Sequence, residues 1–110
     1  MNEQRRAARV PVDLPLRARL GDVAIEGRAV DLSQGGVFVR AHGHELADDL
    51  LDVAVEINLP GAEWPLLVTG EVRWIETAPE RAGFGVRFHS MEVRERRLLA
   101  NFVLRRTAQL

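Results

Sequence analysis

The sequence predicts an all-β domain: an antiparallel barrel of about six strands followed by one C-terminal helix. Three observations carry this. Short segments with alternating apolar and polar residues recur along the chain, divided by Gly, Pro and Asp turn signals. No helical pattern lies between them, as crossovers in a parallel sheet would require. After residue 90 the period changes, and Met91, Leu98, Leu99, Phe102 and Val103 fall on one helical stripe.

Residues 1–12 are polar and basic without periodicity and read as a flexible N-terminal arm; residues 13–90 form the barrel and 91–110 the helix. Leu14 to Leu20 alternates apolar and basic residues, a half-buried strand with Pro15 near its start or on an edge. Gly21-Asp22 makes a turn, and Val23 to Val30 is a second strand of weaker alternation. A third strand runs from Val37 to about Arg40. Glu45 to Asp52 is acidic and reads as one helical turn or a connector. Val53, Val55, Ile57 and Leu59 alternate up to a turn at Pro60-Gly61. Trp64 to Glu76 is longer, and Gly70 within it signals a bulge or sharp bend, with clean alternation from Glu71 to Trp74 afterwards. The last strand, Gly83 to Phe88, sets Phe84, Val86 and Phe88 on one face. Ser90 is placed to cap the helix, and Glu92 suits its first turn. The arginines of the helix lie mostly off the apolar stripe, and Glu92 and Glu95 interrupt that basic face, so it reads as solvated rather than membrane-bound.

Composition removes several classes of function. The chain has 110 residues, a net charge of −1 and no Cys, which leaves no disulfide, no thiolate nucleophile and no Cys-based zinc site. All 15 basic residues are Arg, so a Schiff-base lysine or a phosphate-loop lysine is absent. Aromatics are 5%, too few for a single-strand nucleic-acid platform. No long uncharged apolar run offers a transmembrane helix, and residues 1–22 lack a signal-peptide centre, which predicts a cytoplasmic protein. Ser33 has no neighbouring His, and the known hydrolase, metalloprotease and phosphate-loop motifs are missing, so no enzyme is expected. His42-Gly43-His44 resembles a metal pair but lacks further fixed ligands and reads as an exposed loop.

Two motifs remain. Asp31-Leu32-Ser33-Gln34-Gly35-Gly36 joins two strands and, taken alone, is a turn in which Asp31 and Ser33 bond nearby backbone and the glycines take positive φ. Upstream, Arg5 and Arg9 form R-x-x-x-R, read either as a solvated basic tail or as one face of a very short helix. Together their chemistries are complementary. A carboxylate and a hydroxyl beside open glycine backbone can take the donor edge of a guanine, and forked guanidinium donors can take its acceptor edge or a phosphate.

R-x-x-x-R followed by D-x-S-x-x-G resembles the signature of PilZ domains, bacterial receptors for cyclic di-GMP; Gly70-Glu71-Val72-Arg73-Trp74 and Gly83-Phe84-Gly85-Val86-Arg87-Phe88 extend the match. The resemblance implies a stand-alone six-stranded antiparallel barrel with the arm folding against its wall around the ligand. It implies that Arg5 and Arg9 hold guanine acceptors and phosphate, that Asp31 and Ser33 bond the guanine, and that Gly36 admits the ligand to the backbone. Arg6 and Gly35 are further contacts, and Trp74 reads equally as a stacking face or a core residue. Output would pass to a separate protein partner or through a homodimer, by ordering of the arm. The alternative is a PilZ-like interaction module that does not bind the nucleotide.

Overall fold

In the computed structural model, residues 9–41, 52–89 and 91–109 are described. Arg5, Arg6, the His42/His44 pair, Ser90 and most of the acidic stretch before Asp52 lie outside these residues.

Six strands close into one antiparallel barrel: β1 (Val10–Leu20), β2 (Val23–Leu32), β3 (Gly36–Arg40), β4 (Asp52–Ile57), β5 (Leu66–Glu76) and β6 (Gly83–Phe88). Around the barrel they run β1-β2-β3-β6-β5-β4, every pair antiparallel. Among the described residues, closure leaves no open sheet edge, the usual liability of a β-domain. A short 3-10 turn, Pro79–Arg81, precedes β6, and helix α1 (Val93–Gln109) follows it.

Period-two alternation explains the strands. In β1 every even residue from Leu14 to Leu20 is buried, and the odd ones between are exposed. Val53, Val55, Ile57, Val68, Val72, Phe84 and Val86 add to the same core. Gly21 and Gly61, both at positive φ, turn the chain after β1 and β4. β1 starts at Val10, inside the segment expected to be arm. Val10 is buried and pairs with Leu32, so its apolar side chain belongs to the barrel.

Three bulges break the alternation, and their positions differ from expectation. The register is continuous through Gly70, which pairs with Val53 on one side and Phe88 on the other. A side chain at residue 70 would run into the carbonyl oxygen of Arg87 and the side chain of Val86, so this glycine serves close approach. The β5 bulge lies at Arg73, between Val72 and Trp74. A second lies at Val30 in β2, and the third in β1 between Pro11 and Leu14.

Helix α1 packs on β5 and β1 through Leu99 and Val103, both buried, with Leu98 and Phe102 beside them. Each fully buried apolar side chain of this size contributes about 1.5–3 kcal/mol. Glu95 departs from expectation, being buried rather than part of the outer basic face, and Val93 and Leu104 face outward. Among the described residues, no helix is long and apolar enough to cross a membrane.

Candidate nucleotide-sized cleft on the barrel wall

A cleft of about 800 Å³ opens on the outside of the barrel where β2, β3, β6 and β5 lie side by side. Ligand pockets commonly span about 300–1,000 Å³. Its lining includes Arg9, Asp31, Ser33, Gly35, Gly36 and Trp74 among the residues singled out in the sequence, and Phe38, Arg73 and Arg87 besides.

Asp31 owes its place to a bulge. Ile25 and Ala29 point into the barrel, so strict alternation would also send residue 31 inward. The extra residue at Val30 shifts the parity: Leu32 becomes fully buried and Asp31 turns out to the cleft. There its Oδ2 accepts a hydrogen bond from Arg9 Nη1 at 3.1 Å. The two side chains are 35% and 61% exposed, so this ion pair contributes little to stability, on the order of 0–1 kcal/mol. Arg9 therefore has an acidic partner already, which the sequence did not reveal.

Ser33 builds the turn between β2 and β3. It is buried, and its Oγ accepts from the backbone N–H of Gly35 at 3.1 Å and of Gly36 at 3.2 Å. The Ser33 N–H donates to the Gly36 carbonyl at 2.9 Å, closing the loop. The expectation that Ser33 bonds local backbone holds. The expectation of positive φ does not, since the positive-φ glycines among the described residues are Gly21 and Gly61. Gly36 is required for another reason: a side chain there would strike the carbonyl oxygen of Val86 across the β3–β6 pair. Gly35 has open space before it, a Cβ meeting only Ser33 Oγ at 3.9 Å. Its carbonyl accepts from Phe88 N–H at 2.8 Å, which ties the turn to β6.

The opposite side of the cleft is aromatic and basic. The bulge at Arg73 does for β5 what Val30 does for β2. Leu66, Val68 and Val72 point inward, and the extra residue turns Trp74 outward to 43% exposure. The core reading of Trp74 is thereby corrected. Its ring lies across Gly85, where any side chain would overlap it. Phe38, the partner of Gly85 on its other side, stacks on the same ring with centroids 6.3 Å apart and planes at 19°. Phe38, Gly85 and Trp74 thus form one row across three strands. A glycine in the middle of a strand was the signal in the sequence for this covering ring.

Arg73 Nη1 donates to Glu71 Oε2 at 2.8 Å, and His89 Nε2 lies 3.9 Å from the other carboxylate oxygen. The Arg73 hydrogen bond holds the Glu71 carboxyl below the usual carboxylate range, with the nearby charges of Arg73, His89 and Arg87 acting the same way and partial burial opposing. Arg87 stands between Gly36 and Glu71 in the strand register and so bridges the two sides of the cleft.

The profile of the PilZ domain family matches residues 3–105, nearly the whole chain. The chain belongs to the PilZ domain family. Among solved structures it is similar to the Bacillus subtilis inhibitor of motility MotI/DgrA, with a TM-score of 0.81, 18% identity, and coverage of 98% of this chain but 53% of that one. It is thus about half the length of that protein. The PilZ domain of Escherichia coli YcgR, solved with cyclic di-GMP, aligns at a TM-score of 0.74 and 17% identity over 97% of this chain and 94% of that one. The PilZ domain of CeSA from a cellulose-synthesizing bacterium aligns at 0.67 and 18% over 89% and 96%. At these identities the likeness is one of fold. No curated protein sequence matches the chain.

Proposed function

We propose that this domain is a non-enzymatic, cytoplasmic bacterial receptor for cyclic di-GMP and that the cleft is its binding site. The observation that carries this reading is the convergence of Arg9, Asp31, the Ser33-to-Gly36 turn and the Phe38–Trp74 pair on one cleft. Asp31 is an acceptor for the donor edge of a guanine, and Arg9 a forked donor for its acceptor edge or a phosphate. Ser33 acts mainly by holding the turn, so that the backbone at Gly35 and Gly36 is presented to the ligand. Trp74 and Phe38 offer an aromatic face to a base. Arg5 and Arg6, on the arm, add donors to phosphate and guanine. The arm closing over the nucleotide would create a composite surface for a downstream protein or for a second copy of the chain. That the YcgR PilZ domain was solved with cyclic di-GMP supports the assignment by family.

The Arg9–Asp31 hydrogen bond competes with ligand entry at this wall and must open or rearrange. This mutual satisfaction is the observation that favours the second reading, an interaction module that leaves the nucleotide unused. Calorimetry decides between them. Saturable heat with cyclic di-GMP, with weak competition by GTP and cyclic di-AMP, is the expected result. Adenine reverses the donor and acceptor at the relevant edge and leaves Asp31 without a partner. Equal binding of the adenine analogue would refute the guanine assignment, and no heat with either would favour the interaction module.

A further inference from the structure

We propose that Arg73 and Arg87 form a second anion-binding wall of the cleft, for a phosphodiester of the ligand, and that Glu71 sets its affinity by competing for Arg73. The inference rests on the cyclic di-GMP reading above and adds residues outside both sequence motifs.

Both arginines line the cleft, and Glu71 does not. Arg73 is the bulge residue of β5, so its side chain is directed by an irregularity of the strand rather than by the regular pleat. Arg87 lies on the outer face of β6 as the direct strand partner of Gly36, which brings its guanidinium stem beside the glycine turn. Directly opposed residues of an antiparallel pair stand about 4.5–5.5 Å apart at Cβ. Across β5, Arg87 opposes Glu71. The order Gly36, Arg87, Glu71 therefore runs from one side of the cleft to the other.

Glu71 occupies the place of an anion already. It holds Arg73 at 2.8 Å, with Arg87 opposite in register and His89 within 3.9 Å. Two nitrogenous groups thus contact one carboxylate, with Arg87 opposite it in register, beside a cleft that Arg73 and Arg87 line. Arginine forks take carboxylate and phosphate by the same bidentate geometry, so a phosphate arriving in the cleft and the Glu71 carboxylate are alternative partners for Arg73. Arg87 makes no side-chain hydrogen bond or ion pair among the described residues, which leaves its donors available to an entering anion. The arrangement is a cationic wall whose charge is partly neutralised from behind.

A double-mutant cycle read by calorimetry with cyclic di-GMP tests this. Glu71→Gln keeps the shape and removes the charge, and is expected to tighten binding about two- to fivefold. Arg73→Ala is expected to weaken it roughly tenfold, and Arg87→Ala to weaken it and flatten its salt dependence. Adding Glu71→Gln to Arg73→Ala should return less than half of the gain seen in the wild-type background, because the competition needs Arg73. Equal gain in both backgrounds, or no gain in either, with the wild type still binding, overturns the role of Glu71 and leaves the receptor reading standing. Unchanged affinity in both arginine variants overturns the second wall. Absence of binding by every variant and by the wild type would take down the receptor reading itself, and this inference with it.

Discussion

The two walls of the cleft are made by different means. One is a contiguous six-residue stretch, Asp31 to Gly36, whose turn is held by backbone N–H groups donating to a single hydroxyl. The other is assembled from three strands, Phe38 from β3, Arg73 and Trp74 from β5 and Arg87 from β6, and register brings them together. The first wall can be read from the sequence because its chemistry and its turn signals are adjacent along the chain. The second requires knowing which strands are neighbours and where each strand slips by one residue. A bulge is the device common to both. Val30 and Arg73 each shift the parity of a strand and turn the next key residue, Asp31 or Trp74, outward.

The largest expected effect tests how the first wall is built. Gly36→Val puts a side chain against the Val86 carbonyl, so it should destabilise the free protein by at least about 2 kcal/mol, a drop of roughly 10 °C in melting temperature. An unchanged melting temperature would mean that β3 and β6 are not this close.

Within the same wall, Ser33 and Asp31 should separate stability from binding. Ser33→Ala leaves two backbone N–H groups without their acceptor and should cost about 1–3 kcal/mol of stability before any ligand is added. Asp31→Ala removes only an exposed ion pair, so the melting temperature should move little, while affinity for cyclic di-GMP falls by about 1–3 kcal/mol. Thermal melts and calorimetry on the two variants check both halves. The reverse pattern would make Asp31 the structural residue.

The second wall should respond more evenly. Trp74→Ala is expected to cost about 1–2 kcal/mol in binding by loss of a stacking face, with a smaller effect on stability than Gly36→Val because the ring is partly exposed. Affinity unchanged by this substitution would remove the aromatic row from the site.

The smallest effect is electrostatic. The Glu71 carboxyl, held down chiefly by its hydrogen bond from Arg73, should titrate below the ordinary carboxylate range of about 4.3. A group with a lowered folded pKa contributes stability above its unfolded pKa and loses it as pH falls through the folded one. The Glu71–Arg73 pair should therefore persist at mildly acid pH and break only below the usual Glu range. Carbon-detected NMR titration should show the midpoint rising toward the ordinary value in Arg73→Ala; an unmoved midpoint would assign the shift to another cause.

Much of the fold was legible. The strands, the turns at Gly21 and Gly61, the inward face of Phe84, Val86 and Phe88, and the helix stripe all follow from simple periodicity. What failed did so at irregularities. Gly70 looked like the bend of β5, but its role is close packing, and the slip falls three residues later at a residue with no compositional mark. Val10 read as arm because Pro11 and the arginines before it mask a single buried side chain. The Arg9–Asp31 partnership spans 22 positions, and no local pattern encodes it. Glu95 faces the barrel although its charge marks it for solvent.

On the proposed reading, both walls hold one nucleotide. Amide and side-chain NMR shifts of the intact chain during a cyclic di-GMP titration test it most directly. Saturable changes are expected at Asp31, Gly35 and Gly36, at the Trp74 indole N–H, and at the Arg73 and Arg87 guanidinium signals, all fitting one affinity, with the outer face of α1 unchanged. Saturable changes confined to one wall, or centred on α1, or none at all, would contradict it.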